Sequence, residues 1–348
     1  MTNRTDRPGR YDVVVIGGGA AGLSGALSLA RARRSVLVID AGEPRNAPAG
    51  HVRSFFTRDG TPPAELLDAG RAEVRRYGAE VLTGRAVSAA PAEGGGFTVE
   101  LADRTTVWAR RLLLAVGVVD ELPDVPGVRE LWGRDVLHCP YCHGWEVRDQ
   151  AIGVLASGPA AMHQALLFGQ WTADVTLFLH TMPEPTEDEL EQLAARNVRV
   201  VRGAVTELVR VDGRLTGVRL ASGEVLPRQA VVVGPRAVAR PELLVPLGLT
   251  AVEHSRGMGE YVPADPTGQT DVPGVWVAGN ATELTAQVIA AAASGNLAGA
   301  AINADLITEE VRHAVDARRQ PFSPAAESRV AEQLTGARRH GFVPAVAK

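Results

Sequence analysis

The first strongly patterned segment is a run of four apolar residues, Val13-Val14-Val15-Ile16, and it reads as a buried strand. A glycine-rich turn follows at Gly17 to Gly22, and an Ala/Leu-rich stretch to about Arg33 has helical composition. Val36-Leu37-Val38-Ile39 is a second buried run that ends at Asp40. Strand, turn, helix and strand make a βαβ unit of about thirty residues.

Residues Ala41 to Pro63 hold Pro44, Pro48, Gly50, Gly60, Pro62 and Pro63 and predict a long loop. A helix is expected over Ala64–Tyr77. Strand pieces are expected at Glu80–Val87 and Phe97–Leu101, and another at Leu112 to Val116, stopping at Gly117. A second α/β unit starts near Ala151. It has a strand at Ile152 to Ala156, a turn at Ser157-Gly158-Pro159, a helix at Ala160 to Trp171 and a strand at Val175 to Leu179. Further strands are expected at Val198–Arg202, Val218–Leu220 and Val231–Val233. Val275-Trp276-Val277 then leads into Ala278-Gly279-Asn280 and a small-residue helix from about Thr285 to Leu306. The tail, Pro321 to Lys348, predicts one short amphipathic helix and carries Arg338-Arg339-His340.

Two dinucleotide-type units in one chain are an internal repeat of architecture. The expected fold class is α/β, with two Rossmann-like, three-layer ββα domains, the second inserted into the first. The expected boundaries are 1–117 with 251–307 for the discontinuous first domain, 118–250 for the insert and 308–348 for the tail.

Composition narrows the function. The 348 residues are 45% hydrophobic and 22% charged, as in a globular protein of two or more domains. The net charge is −4 and no basic block stands out, which argues against nucleic acid as a partner. The apolar run Val13 to Ala30 is interrupted by five glycines and flanked by Asp12 and Arg31, so it predicts neither an export signal nor a membrane span. A cytoplasmic protein is expected. Two cysteines in such a chain point to redox or metal chemistry, not to a disulfide framework.

Gly17-x-Gly19-x-x-Gly22 lies between a strand and a helix, with Asp40 closing the next strand. The glycines allow a tight turn and close approach of a pyrophosphate to the N–H groups of a helix start. Asp40 can accept hydrogen bonds from a ribose. The second motif is Cys139-Pro140-Tyr141-Cys142, flanked by His138 and His143. A zinc site would need another ligand pair, and there is no other Cys. Cys142-His143 completes a haem-attachment pattern, but that chemistry belongs to exported proteins. Inert core cysteines fit poorly with the Pro and His neighbours. A redox dithiol remains, and a Cys at a helix start has its thiolate stabilised by the helix dipole. Gly279-Asn280 with Gln287 could present polar groups to a flavin, but alone they are only a strand–turn–helix.

These three motifs, in this order over residues 11–307, resemble the low-molecular-weight thioredoxin reductase family of flavoproteins. The resemblance implies an FAD domain built from both chain ends, an inserted nicotinamide-type domain carrying the Cys pair, and a homodimer. It implies FAD contacts at Gly17, Gly19, Ala20, Ala21, Gly22, Asp40, Ala41, Arg45, Asn46, Gly117, Gly279, Asn280, Gln287 and Val288, and no metal. It makes Cys142 the flavin-facing thiol and Cys139 the one that exchanges with substrate.

The chain departs from that family at several positions. The second dinucleotide loop is Ala156-Ser157-Gly158-Pro159-Ala160-Ala161, where the first glycine is lost and Pro159 has no N–H to offer. The stretch that holds the NADPH 2′-phosphate is here His180-Thr181-Met182-Pro183-Glu184-Pro185, without an Arg and with an acid. His143 stands where the family has an acidic residue, and Asn280 where Asp is usual. Charge-assisted contacts to a phosphate contribute about 1.5–3 kcal/mol each, so losing several should weaken NADPH binding by orders of magnitude.

The run His138 to Glu146 is similar to a narrower branch, the FAD-dependent dithiol oxidases of gliotoxin and holomycin type. That implies a small-molecule dithiol substrate, O2 as electron acceptor and H2O2 as product. His143, with an ordinary pKa of about 6.5, suits deprotonating a thiol, and His138 is the second candidate. Other readings are an NAD(P)H-dependent thioredoxin reductase, a reductase fed by another donor such as ferredoxin, and a non-enzymatic flavin sensor. The loop Ala41–Pro63 and the tail are candidates to line the substrate pocket.

Overall fold

The computed structural model describes residues 9–319 and 324–335. The first apolar run forms β1 (Arg10–Ile16), followed by α1 (Ala20–Arg31) and β2 (Val36–Asp40). β1 and β2 pair in parallel, from Val13 with Val36 to Ile16 with Ile39. Val13, Val14, Val15 and Val38 are fully buried. A strand covered on both faces reads as a continuous apolar run for this reason. Each such side chain contributes about 1.5–3 kcal/mol by leaving water.

After the loop come α2 (Pro63–Arg76), β3 (Glu80–Thr83), β4 (Ala86–Pro91), β5 (Phe97–Leu101) and β6 (Thr106–Leu114). The expected Glu80–Val87 strand is two strands, since Glu80–Thr83 pairs with β2 and Ala86–Pro91 with β5. β6 is longer than the apolar run Leu112–Val116 suggested. Its first half pairs antiparallel with β5, a partner that only the folded sheet supplies.

The connecting segment holds β7 (Val119–Glu121), α3 (Val128–Leu131), β8 (Val136–Leu137) and the single-turn α4 (Pro140–His143). The second α/β unit follows as β9 (Ile152–Leu155), α5 (Ala161–Phe168), β10 (Val175–Phe178), α6 (Glu187–Ala195) and β11 (Arg199–Val201). Then come β12 (Val205–Val211), β13 (Arg214–Leu220), β14 (Val225–Pro227), β15 (Ala230–Val233) and β16 (Arg236–Val238). β12 was missed from sequence because Val-Thr-Glu-Leu-Val-Arg-Val mixes charges into the run and is half exposed. The last elements are α7 (Pro241–Leu244), β17 (Val252–Glu253), β18 (Glu260–Tyr261), β19 (Val275–Val277), α8 (Val288–Arg319) and α9 (Pro324–Thr335).

Two sheets carry the architecture. One has the order β3-β2-β1-β6-β5-β4, with β19 added in parallel to the second half of β6. The other is wholly parallel, β11-β10-β9-β15-β8. A three-stranded antiparallel sheet, β12-β13-β14, completes the second unit, and β7 pairs with β16 where the chain enters and leaves it. The fold is therefore α/β with two Rossmann-like units. The sheet holding β1 takes its last strand from a segment that follows the whole second unit in sequence.

The described residues up to Ala301 form one compact unit, and those from Ile302 on a second. α8 runs past Leu306, where the sequence suggested a stop. Thr308 to Arg319 contains no Gly or Pro, and Arg318 and Arg319 complement the negative end of the helix dipole. The expected tail helix is α9, and Arg338-Arg339-His340 lie outside the described residues. Among the described residues no helix is long and apolar enough to cross a membrane.

Asp135, just before β8, ties the two sheets of the second unit together. Its side chain is 3% exposed. It accepts a forked pair of bonds from Arg214 (2.9 and 3.0 Å) and one from the Leu215 N–H (3.0 Å). Burial alone would raise its pKa, but Arg214 and the Leu215 N–H outweigh it and hold the carboxyl below its ordinary value. Its stabilising effect is therefore full above the unfolded pKa of about 3.9 and is lost as pH falls through the lower folded value. Asp135→Ala is expected to cost about 3 kcal/mol at pH 7, and the gap to wild type should close in acid. Urea melts at pH 7 and near pH 3 check this, and an equal gap at both would contradict it.

Candidate active site

The turn after β1 is built from positions where only glycine fits. Gly17 has φ +106°, and a Cβ there would lie 2.2 Å from the Ala115 carbonyl oxygen. A Cβ on Gly22 would lie 1.9 Å from the Gly17 carbonyl oxygen. These contacts let α1 start directly after the strand. Its N-cap is Gly19, no side chain caps it, and its first turn carries no acid. The first N–H groups of a helix have no intrahelical partner, so this end offers donors and a positive dipole. They open on a cavity of about 350 Å³ that runs from Gly17 past Asp40 to Cys142.

Every residue named from sequence lines this cavity except Gly22, which is buried behind it in α1. Asp40 receives Gly42 N–H (3.1 Å) and Arg71 (2.9 Å) on different oxygens, which fixes its orientation. Arg45 is held by Asp120 through two bonds of 2.8 and 2.6 Å. Asn280 has a role the sequence did not suggest. Its amide nitrogen donates to the carbonyls of Glu283, Leu284 and Ala286 at 3.0–3.2 Å, which closes the turn that delivers Gln287.

Cys139 and Cys142 are joined by a disulfide, with Cα atoms 5.3 Å apart. Cys139 is the N-cap of α4, which is a single turn, so the dipole help expected from a full helix is reduced here. The Gln287 amide donates to Cys142 Sγ at 3.7 Å. One sulfur of the pair is thus fastened to the segment that ends the first sheet, inside the same cavity.

The two histidines differ. His138 stacks edge-on against Trp132. Its pKa is pushed down to about 4, by burial first and by the charge of Arg45 next. It is neutral near pH 7. His143 is also lowered, by burial first, with Glu146 opposing and Arg53 adding to the shift. Its Nδ1 is buried without a hydrogen-bond partner. Such an orphaned atom on a cavity wall calls for a partner from whatever fills the cavity.

The second dinucleotide loop is tied to the end of β15. Ser157 Oγ donates to the Gly234 carbonyl (3.2 Å) and accepts the Gly234 N–H (3.4 Å). The turn between β17 and β18 presses on it, so that a Cβ on Gly257 would lie 3.3 Å from Pro159 Cγ. At the end of β10, His180 Nδ1 accepts the Val205 N–H at 3.0 Å. Glu184 is paired with Arg202 at 2.9 Å, which takes up the cation at the end of β11.

Sequence reasoning missed several cavity residues: His51, Arg53, Trp132 and Arg240. None sits in a recognisable spacing, and only the flagged loop Ala41–Pro63 pointed toward two of them. The donors at the start of α1, the fixed carboxylate of Asp40 and the elongated cavity ending at a disulfide fit FAD, with Gly17, Gly19, Ala20, Ala21, Asp40, Gly279 and Gln287 as the residues that would hold it. Among the described residues no cluster of His, Cys, Asp or Glu could hold a metal ion.

Known proteins are similar over most of this chain. Thioredoxin reductase tcpT of Claviceps purpurea is 33% identical, over 86% of this chain and 95% of that protein. Thioredoxin reductase sirT of Leptosphaeria maculans is 31% identical, over 85% and 94%. The crystal structure of HlmI is 46% identical with a TM-score of 0.84, covering 91% of this chain and 99% of that one. An oxidoreductase from Agrobacterium tumefaciens is 37% identical with a TM-score of 0.81, over 86% and 99%. Residues 11–295 match the pyridine nucleotide-disulphide oxidoreductases. With two Rossmann-like units and a disulfide at the cavity between them, the chain belongs to the pyridine nucleotide-disulphide oxidoreductase family, as a thioredoxin reductase-like oxidoreductase.

Proposed function

We propose that the chain is an FAD-dependent dithiol oxidase, which closes a disulfide within a small-molecule dithiol with O2 as acceptor and H2O2 as product. The observation that carries this reading is the contrast between its two dinucleotide loops. The first is open, with free donors and a cavity. In the second, Ser157 is bonded to the Gly234 backbone, Pro159 offers no N–H, and Arg202 nearby is paired with Glu184. This leaves a weaker phosphate site than the first loop offers, which favours entry of electrons as thiols.

FAD, when bound, would supply a two-electron acceptor that O2 can re-oxidise. The protein's own residues do the sulfur chemistry. A substrate thiolate attacks Cys139 Sγ, the Cys139–Cys142 bond breaks, and Cys142 leaves as a thiolate that accepts the Gln287 N–H. His143 takes the proton of the second substrate thiol. That sulfur attacks the first, closing the product disulfide and releasing Cys139. Two electrons have moved from substrate to the Cys pair, and the net reaction is dithiol plus O2 to disulfide plus H2O2. His138, whose pKa burial pushes down to about 4, is the weaker base of the two and packs edge-on against Trp132.

The reading extends to the whole chain: an FAD module of 1–117 and 251–307, an inserted module of 118–250, a tail of 308–348, a homodimer, and the cytoplasm as its place. The names of the relatives favour a second reading, reduction of a protein disulfide by NAD(P)H. Stoichiometry in air separates the two. With dithiothreitol as probe, one O2 should be consumed and one H2O2 formed per disulfide closed. No oxygen uptake with dithiothreitol, together with NADPH oxidation when thioredoxin is added, would overturn the oxidase reading.

A further inference from the structure

The loop after β2 and the turn after the Cys pair meet beside the cavity, and the chemistry above gives this contact no task. Arg53 Nε lies 3.0 Å from Glu146 Oε1. One residue on, Ser54 Oγ donates to the Tyr141 carbonyl at 3.3 Å. The loop is braced from behind, because Asp59 accepts the Ser54 N–H at 2.8 Å and faces Arg53 at 3.5 Å. On the other side, the Glu146 N–H donates to the His143 carbonyl at 3.1 Å, which fixes the acid one turn from the imidazole. Arg53 and His143 line the same cavity.

We propose that Arg53 and Glu146 are a positioning pair for His143, one charge from each module, which together set how readily the ring takes a proton and clamp its turn against the cavity. The role given to His143 itself rests on the proposed function. The titratable groups that face the ring are Glu146 on its own segment, Arg53 from the loop with Asp59 behind it, and His138 from the end of β8. Glu146 favours the imidazolium and Arg53 opposes it. Burial then decides, and His143 stays neutral and able to accept a proton near pH 7. Arg53 thus acts as a brake on Glu146. Without it, the acid would favour the protonated ring more strongly.

The two single variants have opposite signs, which a purely structural role would not produce. The test uses the full chain loaded with FAD. The His143 ring is followed by NMR titration, identified by the signal that His143→Gln removes, alongside the pH profile of flavin bleaching by dithiothreitol. Arg53→Gln should raise the His143 pKa by about one unit and Glu146→Gln should lower it by about as much. Arg53→Lys should stay near wild type, and the double variant R53Q/E146Q should return toward it. Shifts of the same sign in both singles, or no shift in either, would overturn the proposal. If Glu146→Gln does not fold, Arg53→Gln against Arg53→Lys decides by the same rule. The NMR shifts do not depend on turnover, so failure of dithiothreitol to bleach the wild type would count against the proposed function and leave the pair's test standing.

Discussion

Serine at Cys142 is expected to leave a yellow protein that a dithiol bleaches at least about 1000-fold more slowly than wild type. The same holds for Cys139→Ser, for a different reason. Cys139 is the sulfur the substrate attacks, whereas Cys142 is the leaving group that Gln287 holds at 3.7 Å. With either sulfur gone there is no disulfide to accept electrons. FAD content should be unchanged in both variants, because the donors at the start of α1 do not involve either Cys. Rapid-mixing absorbance with dithiothreitol under argon reads the rate. A Cys variant that bleached within tenfold of wild type would mean that the thiols reach the flavin directly, and that the disulfide at the cavity is not on the path.

Gly22→Ala is expected to give a colourless and less stable protein. The added methyl would sit 1.9 Å from the Gly17 carbonyl oxygen, which is backbone and cannot rotate away. Either α1 moves off β1, or the turn that presents Gly19 opens. Overpacking of this kind costs about 3 kcal/mol, and here it also distorts the cofactor cradle. Gly19→Ala is the control, because a Cβ there meets nothing within 4 Å in the polypeptide. That variant should fold as well as wild type and lose only FAD affinity. Thermal melts of the FAD-free proteins separate the effects. Equal melting of Gly22→Ala and wild type would contradict the packing argument.

The contrast between Gly19 and Gly22 also marks what the sequence could reveal. The spacing Gly17-x-Gly19-x-x-Gly22 identified the turn, since short-range geometry demands glycine at Gly17 and Gly22 and the flanking runs Val13–Ile16 and Val36–Ile39 are local signals. It could not reveal that Gly19 and Ala20 face the cavity while Gly22 packs behind it. The redox pair was legible for the same local reason, as Cys139-x-x-Cys142 fits one turn.

What escaped depends on residues far apart in the chain. β12 exists because β13 pairs with it, and its own residues alternate too weakly to announce a strand. The first half of β6 is defined by β5 in the same way. Asn280 lines the cavity, and that its amide nitrogen also closes its own loop onto three carbonyls depends on the fold. Arg53 and Glu146 carry no spacing signal at all, because their contact joins a loop of one module to a turn of the other. The damaged second loop was visible from Ala156 and Pro159, but its tie to Gly234 and its closeness to the β17–β18 turn needed the fold.

The central claim is that electrons enter through thiols and not through a nicotinamide. Anaerobic stopped-flow reduction of the FAD-loaded protein tests it, with NADPH and NADH in one arm and a small dithiol in the other. The dithiol should bleach the flavin fully, peroxide should appear when air is admitted, and neither nicotinamide should bleach it at a comparable rate. Fast, complete bleaching by NADPH or NADH would contradict the account.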